Sequence, residues 1–155
     1  MYNKLKITAI VPAFNEEKNI RKVVEQTAPY VDEVIVVDDG SKDKTGAIAK
    51  ESGAVVATHI VNMGLGFTLA TGAELAIKRG ADVIVTIDGD GQHDPTEITH
   101  LVKTLVDEKL DIVIGARKFD TNMPFYKKLG NTTIYTMQHL LFNSEFADIK
   151  IWWQA

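Results

Sequence analysis

The chain has 155 residues, 45% hydrophobic and 25% charged, which is enough for the core of one ordinary soluble domain and too little for two. A formal net charge of −4 with no cluster of Lys and Arg excludes a nucleic-acid binder that works through phosphate contacts, and the absence of cysteine excludes disulfides and thiolate metal sites. No apolar run approaches the ~18 residues of a membrane span, and the start, Met1 to Lys6, has no signal-peptide core, so a cytoplasmic location is the expectation.

Strand-like and helix-like patterns alternate along the chain without a linker or repeat, the mark of stacked βαβ units. Ile7 to Val11 reads as a first strand and Pro12 to Asn15 as its exit loop. Asn15 is the expected N-cap of a helix that turns Ile20, Val23, Val24 and Thr27 to one face and ends at Pro29. A second strand, Glu33 to Val37, runs into Asp38-Asp39-Gly40-Ser41-Lys42-Asp43-Lys44-Thr45, with Asp43 a helix-start residue. A short helix follows, with Ile48 and Ala49 inward and Gly53 as its stop. The third strand is Ala54 to Ile60, and Asn62 to Gly66 opens a helix reaching Arg79, stopped by Gly80.

The fourth strand carries the densest signal. Val83 to Ile87 leads straight into Asp88-Gly89-Asp90-Gly91-Gln92-His93-Asp94-Pro95. A β-branched run of this kind belongs in a buried parallel sheet, and open α/β sheets bind ligands beyond the carboxyl ends of their strands. A turn through Gly89 aims Asp88 and Asp90 at one point, where two carboxylates repel unless a cation separates them. A hard divalent ion, Mg²⁺ or Mn²⁺, with substrate phosphates completing its shell suits that D-x-D arrangement. Asp94-Pro95-Thr96-Glu97 then starts a helix by a variant of the capping box, with Leu101, Val102 and Leu105 inward. A fifth strand, Asp111 to Ala116, ends at Arg117, and a helical pattern fills Lys127 to Phe142.

Other ligand classes fit less well. Asn62-x-Gly64-x-Gly66 has Leu69 at the third glycine position of a dinucleotide fingerprint and follows the third strand instead of the first. An EF-hand beginning at Asp88 would need Gly at His93 and Glu at Thr99. His59, placed in a strand, and His93, His100 and His139 share no ligand spacing, which points to structural or surface roles. Asp38 and Asp39 exceed what a turn requires: one is suited to accept hydrogen bonds from a nucleobase or ribose, the other to approach a metal.

Taken in order, these fragments resemble the inverting family 2 glycosyltransferases of GT-A fold, especially the branch of polyprenyl-phosphate glycosyltransferases and dolichol-phosphate mannose synthases. The resemblance is carried by Val11-Pro12-Ala13-Phe14-Asn15-Glu16-Glu17, by Val37 through Thr45, by Asn62 to Gly66, by Asp88 to Pro95 and by Gly115-Ala116-Arg117. It implies an α/β, Rossmann-like nucleotide-diphospho-sugar transferase fold with a mostly parallel sheet flanked by helices. The domain expected is a single glycosyltransferase catalytic domain over residues 1–155, truncated at its C-terminus. Pro12, Ala13 and Glu16 would border the nucleoside, Asp39 would contact uridine or guanosine, and Asp88 with Asp90 would bind ribose, metal and diphosphate. Gln92 would support the metal, and Arg117 would meet phosphate with a guanidinium fork; Asp90 and Arg117 are the expected catalytic pair.

The implied donor is a UDP- or GDP-linked sugar and the implied acceptor a polyprenyl or dolichyl phosphate. A lipid monophosphate, with second pKa near ~6, is already largely a dianion at neutral pH and needs no general base. Arg117, Lys118, Lys127 and Lys128 are the basic residues available to hold it. Two alternatives stay open: a noncatalytic nucleotide-sugar-binding module and a nucleotidyltransferase, although Pro12 to Asn15 offers no triphosphate loop. The tail departs from the branch pattern, with Trp152, Trp153 and Gln154 at its Gly, Phe and Arg positions and Leu65 at the Lys of N-x-G-K-G. Adjacent tryptophans are an apolar surface that points to a homo-oligomer, and peripheral contact with a membrane is left open.

Overall fold

The computed structural model describes residues 5–115. Four strands, β1 (Ile7–Ala13), β2 (Glu33–Asp38), β3 (Val55–Thr58) and β4 (Val83–Thr86), form one sheet in the order β3-β2-β1-β4. Every pairing is parallel, with Val11 opposite Val36 and Ala9 opposite Val85. Four helices alternate with them: α1 (Ile20–Thr27), α2 (Thr45–Glu51), α3 (Leu65–Lys78) and α4 (Glu97–Asp107). No helix among the described residues is long and apolar enough to cross a membrane.

The strands read as unbroken apolar runs because both faces of the sheet are covered. Ala9, Val11, Val34 and Val36 pack with Ile20, Val23 and Val24 of α1 and with Ile98 and Val102 of α4. Their neighbours Ile10, Ile35 and Val37 turn the other way, onto Ala76, Leu69 and Ala73 of α3. Gly72 makes that second layer possible, since a Cβ there would strike the Ile10 side chain. A parallel sheet sandwiched in this way puts all of its strand exits on one edge.

The inward face expected of α1 is the one observed, with Ile20, Val23, Val24 and Thr27 all buried. The expected cap is corrected. Asn15 lies ahead of the helix in a left-handed conformation with φ of 56°, and Asn19 occupies the N-cap position. Asparagine tolerates that conformation, which frees its side chain to work elsewhere. Its Oδ1 accepts from Lys42 N–H at 2.9 Å and its own N–H donates to Ser41 Oγ at 2.9 Å, so Asn15 ties the exit of β1 to that of β2. The Glu16 carbonyl, accepting from Asn19 and Ile20, starts the helix instead.

At the ends of the other elements the differences are smaller. β3 stops at Thr58, leaving His59 just past the strand and Ile60 99% exposed. α4 begins at Glu97, and Asp94 caps the preceding turn through Thr96 N–H and Oγ1. Of the residues expected inward, Val102 is buried and Leu105 packs partly buried on the core, whereas Leu101 is half-buried outside it; Ile98, one turn earlier, takes its place in the core. The expected fifth strand is not formed over residues 111–115: Ile112 and Ile114 are exposed, and the segment does not pair with the open edge that β4 presents among the described residues. Ala116, Arg117, Lys118, the helical pattern from Lys127 to Phe142 and Trp152 to Gln154 lie outside the described residues.

Asp43 lies one residue ahead of Lys44, which holds the N-cap position of α2, and its carboxylate bonds to the first turn from there. Its Oδ1 accepts from the N–H and hydroxyl of Thr45 and its Oδ2 from Glu17 N–H. Burial pushes this carboxyl up, but the Thr45 and Glu17 hydrogen bonds outweigh it and hold the group below the ordinary aspartate value. A folded-state value depressed in this way contributes stability above the ordinary pKa and loses it as the pH falls through the folded one. Asp43→Ala is therefore expected to cost about 1 kcal/mol at neutral pH. The gap from the unaltered chain should close below about pH 4, as urea unfolding on both sides of that value would show.

Candidate functional site

In the order β3-β2-β1-β4, the chain reverses its direction of travel across the sheet between β1 and β4, and open α/β sheets bind ligands in the crevice at such a switch point. A cavity of about 410 Å³ lies there, lined by residues from the exits of all four strands. β1 supplies Pro12, Ala13, Phe14 and Glu16; β2 supplies Asp39; the loop after β3 supplies Asn62, Gly64 and Leu65; and Asp88 to Asp90 follow β4. Pro12, Ala13, Glu16, Asp39, Asp88 and Asp90, all singled out in the sequence, thus border one space. Gln92 is exposed two residues further on, with its N–H donated to Asp90 Oδ1 at 2.9 Å. Arg117 lies outside the described residues. A second cavity, of about 180 Å³, opens beside Leu5, Tyr30 and Ile98, where the carboxylate of Asp32 already accepts from Ile7 N–H.

Two glycines set how closely these loops approach. At Gly89 a Cβ would sit 2.9 Å from the Pro12 carbonyl oxygen, so only glycine lets the loop after β4 lie against the exit of β1. At Gly40, with φ of 76°, a Cβ would fall 2.7 Å from the Val61 carbonyl carbon. These contacts bring the loop backbones, though not the carboxylate side chains themselves, into close register.

Asp39 is the most constrained group in the cavity wall. Its N–H donates to the Ala13 carbonyl at 2.8 Å. Its carboxylate accepts from Met63 N–H and Gly64 N–H, each at 2.8 Å, and from His59 Nδ1 at 2.7 Å. Burial pushes the Asp39 carboxyl up, yet the hydrogen bonds from Met63, His59 and Gly64 together hold it below the usual aspartate value. It is therefore ionised at neutral pH and accepts only, so the ring hydrogen of His59 belongs on Nδ1. Nε2 meets Thr71 Oγ1 of α3 at 2.9 Å. Sequence reasoning gave His59 a structural place in a strand and missed this link, which depends on two segments twenty residues apart.

The D-x-D loop is more open. The Asp88 side chain is 56% exposed and its Oδ2 lies 3.4 Å from His93 Nε2. Among the described residues no three His, Cys, Asp or Glu side chains cluster tightly enough to hold a metal by themselves. With two carboxylates on one open turn, Asp88 and Asp90 could hold only a cation of the kind that takes one or two protein carboxylates and fills its remaining positions with phosphate and water. The N-terminus of α3 lines the same cavity through Gly64, Leu65 and Thr68. The first N–H groups of a helix have no intrahelical partner, and the helix dipole favours an anion there. Phe14, half exposed in the cavity wall, also escaped the sequence reading; an aromatic directly after a buried strand was the available signal.

Over residues 8–151 the chain matches the family model described as Glycosyl transferase family 2, and it belongs to that family. It is 36% identical, over 91% of its own length and 64% of the relative's, to a UDP-N-acetylglucosamine–dolichyl-phosphate N-acetylglucosaminyltransferase of Methanococcus voltae. With a polyprenol monophosphomannose synthase of Mycolicibacterium smegmatis it shares 31% identity over 94% of this chain and 59% of that one. The chain thus spans about three fifths of the length of these relatives. Among solved structures, glucosyl-3-phosphoglycerate synthase of Mycobacterium tuberculosis superposes with a TM-score of 0.56 at 32% identity, covering 66% of this chain and 41% of that one. The same synthase has been crystallised with Mg²⁺ and uridine diphosphate, and that form superposes at 0.54 with 31% identity, covering 66% and 40%. The fold is GT-A.

Removal of the Asp39 carboxylate tests its hold on the loop after β3. A hydrogen bond to a charged group is worth about 1.5–3 kcal/mol, so Asp39→Ala should speed hydrogen exchange of the Met63 and Gly64 amides by more than about tenfold. The amides of Val34 to Val37 should keep their protection.

Proposed function

We propose that this chain forms the donor-binding and catalytic part of a glycosyltransferase that moves a sugar from a nucleoside diphosphate, UDP- or GDP-linked, to a polyprenyl or dolichyl phosphate, with inversion and with Mg²⁺ or Mn²⁺. The observation that carries the proposal is the convergence of Asp39, Asp88, Asp90 and the N-terminus of α3 on one cavity at the switch point. A nucleoside diphosphate needs these parts: an acceptor for its base and a positively biased place for its phosphates. The names of the M. voltae and M. smegmatis relatives support the acceptor, and the Mg²⁺ and uridine diphosphate complex of the M. tuberculosis synthase supports the donor and the cation.

The chain's own groups have separable tasks. Asp39 receives the base, while Pro12, Ala13 and Glu16 border the nucleoside. The free N–H groups at the start of α3 favour the diphosphate, and Leu65 adds no charge to them. Asp88 and Asp90 would hold the cation, supported by Gln92; when bound, it neutralises the departing diphosphate without a proton. As the glycosidic bond breaks, the sugar acquires oxocarbenium character, and groups already fixed around the leaving phosphates lower that barrier more than mobile ones would. Attack by a phosphate dianion from the opposite face inverts the anomeric centre and asks no general base of the protein. Arg117 is proposed to meet phosphate.

Calorimetry with UDP- and GDP-linked sugars, in Mn²⁺ and after chelation, tests the donor half, and transfer to polyprenyl phosphate tests the whole. Donor binding should require the cation. Asp90→Asn should weaken metal-dependent binding by more than about tenfold, since even loss of an outer-shell partner costs 10–100-fold, while the melting temperature stays near that of the unaltered chain. Equal donor affinity with and without metal would remove the cation from the mechanism. Binding without transfer would favour the nucleotide-sugar-binding module instead.

A further inference from the structure

An ionised carboxylate has about four lone-pair positions, two on each oxygen. Asp39 Oδ1 uses both of its own, one for His59 Nδ1 at 2.7 Å and one for Met63 N–H at 2.8 Å. Oδ2 uses one, for Gly64 N–H at 2.8 Å. A single acceptor position remains, on Oδ2, in a side chain that is 6% exposed and lines the cavity. His59 itself is anchored at its other nitrogen by Thr71, so the ring cannot swing off Oδ1 without losing that contact.

We infer that His59 is a specificity-determining positioning residue, which closes one oxygen of Asp39 and thereby selects a donor whose base is a pyrimidine imide over one whose base is guanine. The inference rests on the donor-site reading above and narrows its UDP-or-GDP alternative. Uracil and thymine present one N3–H between two carbonyls, a single donor matched to a single open lone pair. Guanine presents N1–H beside its exocyclic amino group, two parallel donors that a carboxylate satisfies only with both oxygens. With Oδ1 closed, one guanine donor enters the site unpaired, and a buried unpaired polar group is what gives such sites their discrimination. Cytosine places a lone pair at N3 against the ionised oxygen and is repelled. His59 acts on the base only through Asp39.

Titration calorimetry of the full 155-residue chain with UDP, dTDP, GDP and CDP in Mn²⁺ reads the preference directly. UDP or dTDP should bind at least about tenfold more tightly than GDP or CDP, the scale set by one unpaired donor. The comparison of UDP with dTDP separates the two imide sources. His59→Ala opens Oδ1 and should bring the UDP-to-GDP ratio toward one, whereas His59→Asn, whose amide nitrogen can replace Nδ1 as donor, should keep it. A merely structural role would weaken both nucleotides together and leave the ratio unchanged. Thr71→Val, which leaves the ring present but unanchored, should narrow the ratio in the same direction and serves if His59→Ala does not fold. GDP binding as tightly as UDP in the unaltered chain, or a ratio unmoved by these substitutions, overturns the inference alone. Failure of every diphosphate to bind overturns the donor-site reading with it.

Discussion

A parallel sheet buried on both faces commits its side chains before chemistry has any claim on them. In β1 and β2 successive residues alternate between the α1 and α4 layer and the α3 layer, so neither face is left for a ligand. Polar function is confined to the edge where the strands end. Because every strand runs the same way, that edge gathers four exits at once, and the reversal of strand order between β1 and β4 opens the space between them. The cavity is a consequence of the topology.

What the topology cannot do is hold the exits at fixed distances, and a network of loop contacts does that instead. Asn15 bonds across to Ser41 and Lys42, Asp39 N–H to Ala13, and Thr45 Oγ1 accepts from Glu16 N–H at 2.8 Å. Gly40 and Gly89 remove the side chains that would keep neighbouring backbones apart. The exits of β1, β2 and β3 are thereby stitched into one wall by hydrogen bonds whose partners lie twenty or more residues apart. Each buried polar group in that wall is satisfied by another part of it, which allows carboxylates such as Asp38 and Asp39 to be buried at all.

That division explains what could be read in the sequence. Strands β1 and β2, the inward face of α1 and the D-x-D loop were legible because each is written in local periodicity or in residues next to one another. Asn15 was misread because a short polar residue ahead of an apolar helix is the ordinary cap pattern, and only the left-handed backbone reveals that its side chain faces another loop. The strand pattern at Ile112 and Ile114 was legible too, but alternation alone does not make a strand: it says nothing about whether the segment docks on the edge that β4 leaves open. His59 gave no local sign of its role. A histidine after a strand is ordinary; what distinguishes it is the carboxylate across the loop at 2.7 Å and the threonine one helix away.

The two halves of the cavity consequently differ in how far they are organised before a ligand arrives. On the side proposed for the base, Asp39 is 6% exposed, ionised and held by three hydrogen bonds, so accepting one more would cost little reorganisation. On the side proposed for the diphosphate, Asp88 is 56% exposed beside Asp90 on a glycine-flanked turn, and two neighbouring carboxylates gain nothing from being fixed together until a cation comes between them. On the function proposed, a preformed base pocket would adjoin a loop whose final arrangement depends on charge brought in from solution. On that same proposal, such an order would suit a transferase: the base would meet a preformed surface, and the carboxylates proposed to hold the cation would be drawn together once metal and diphosphate are both present, so that their interaction energy would be realised where the charge of the departing group develops.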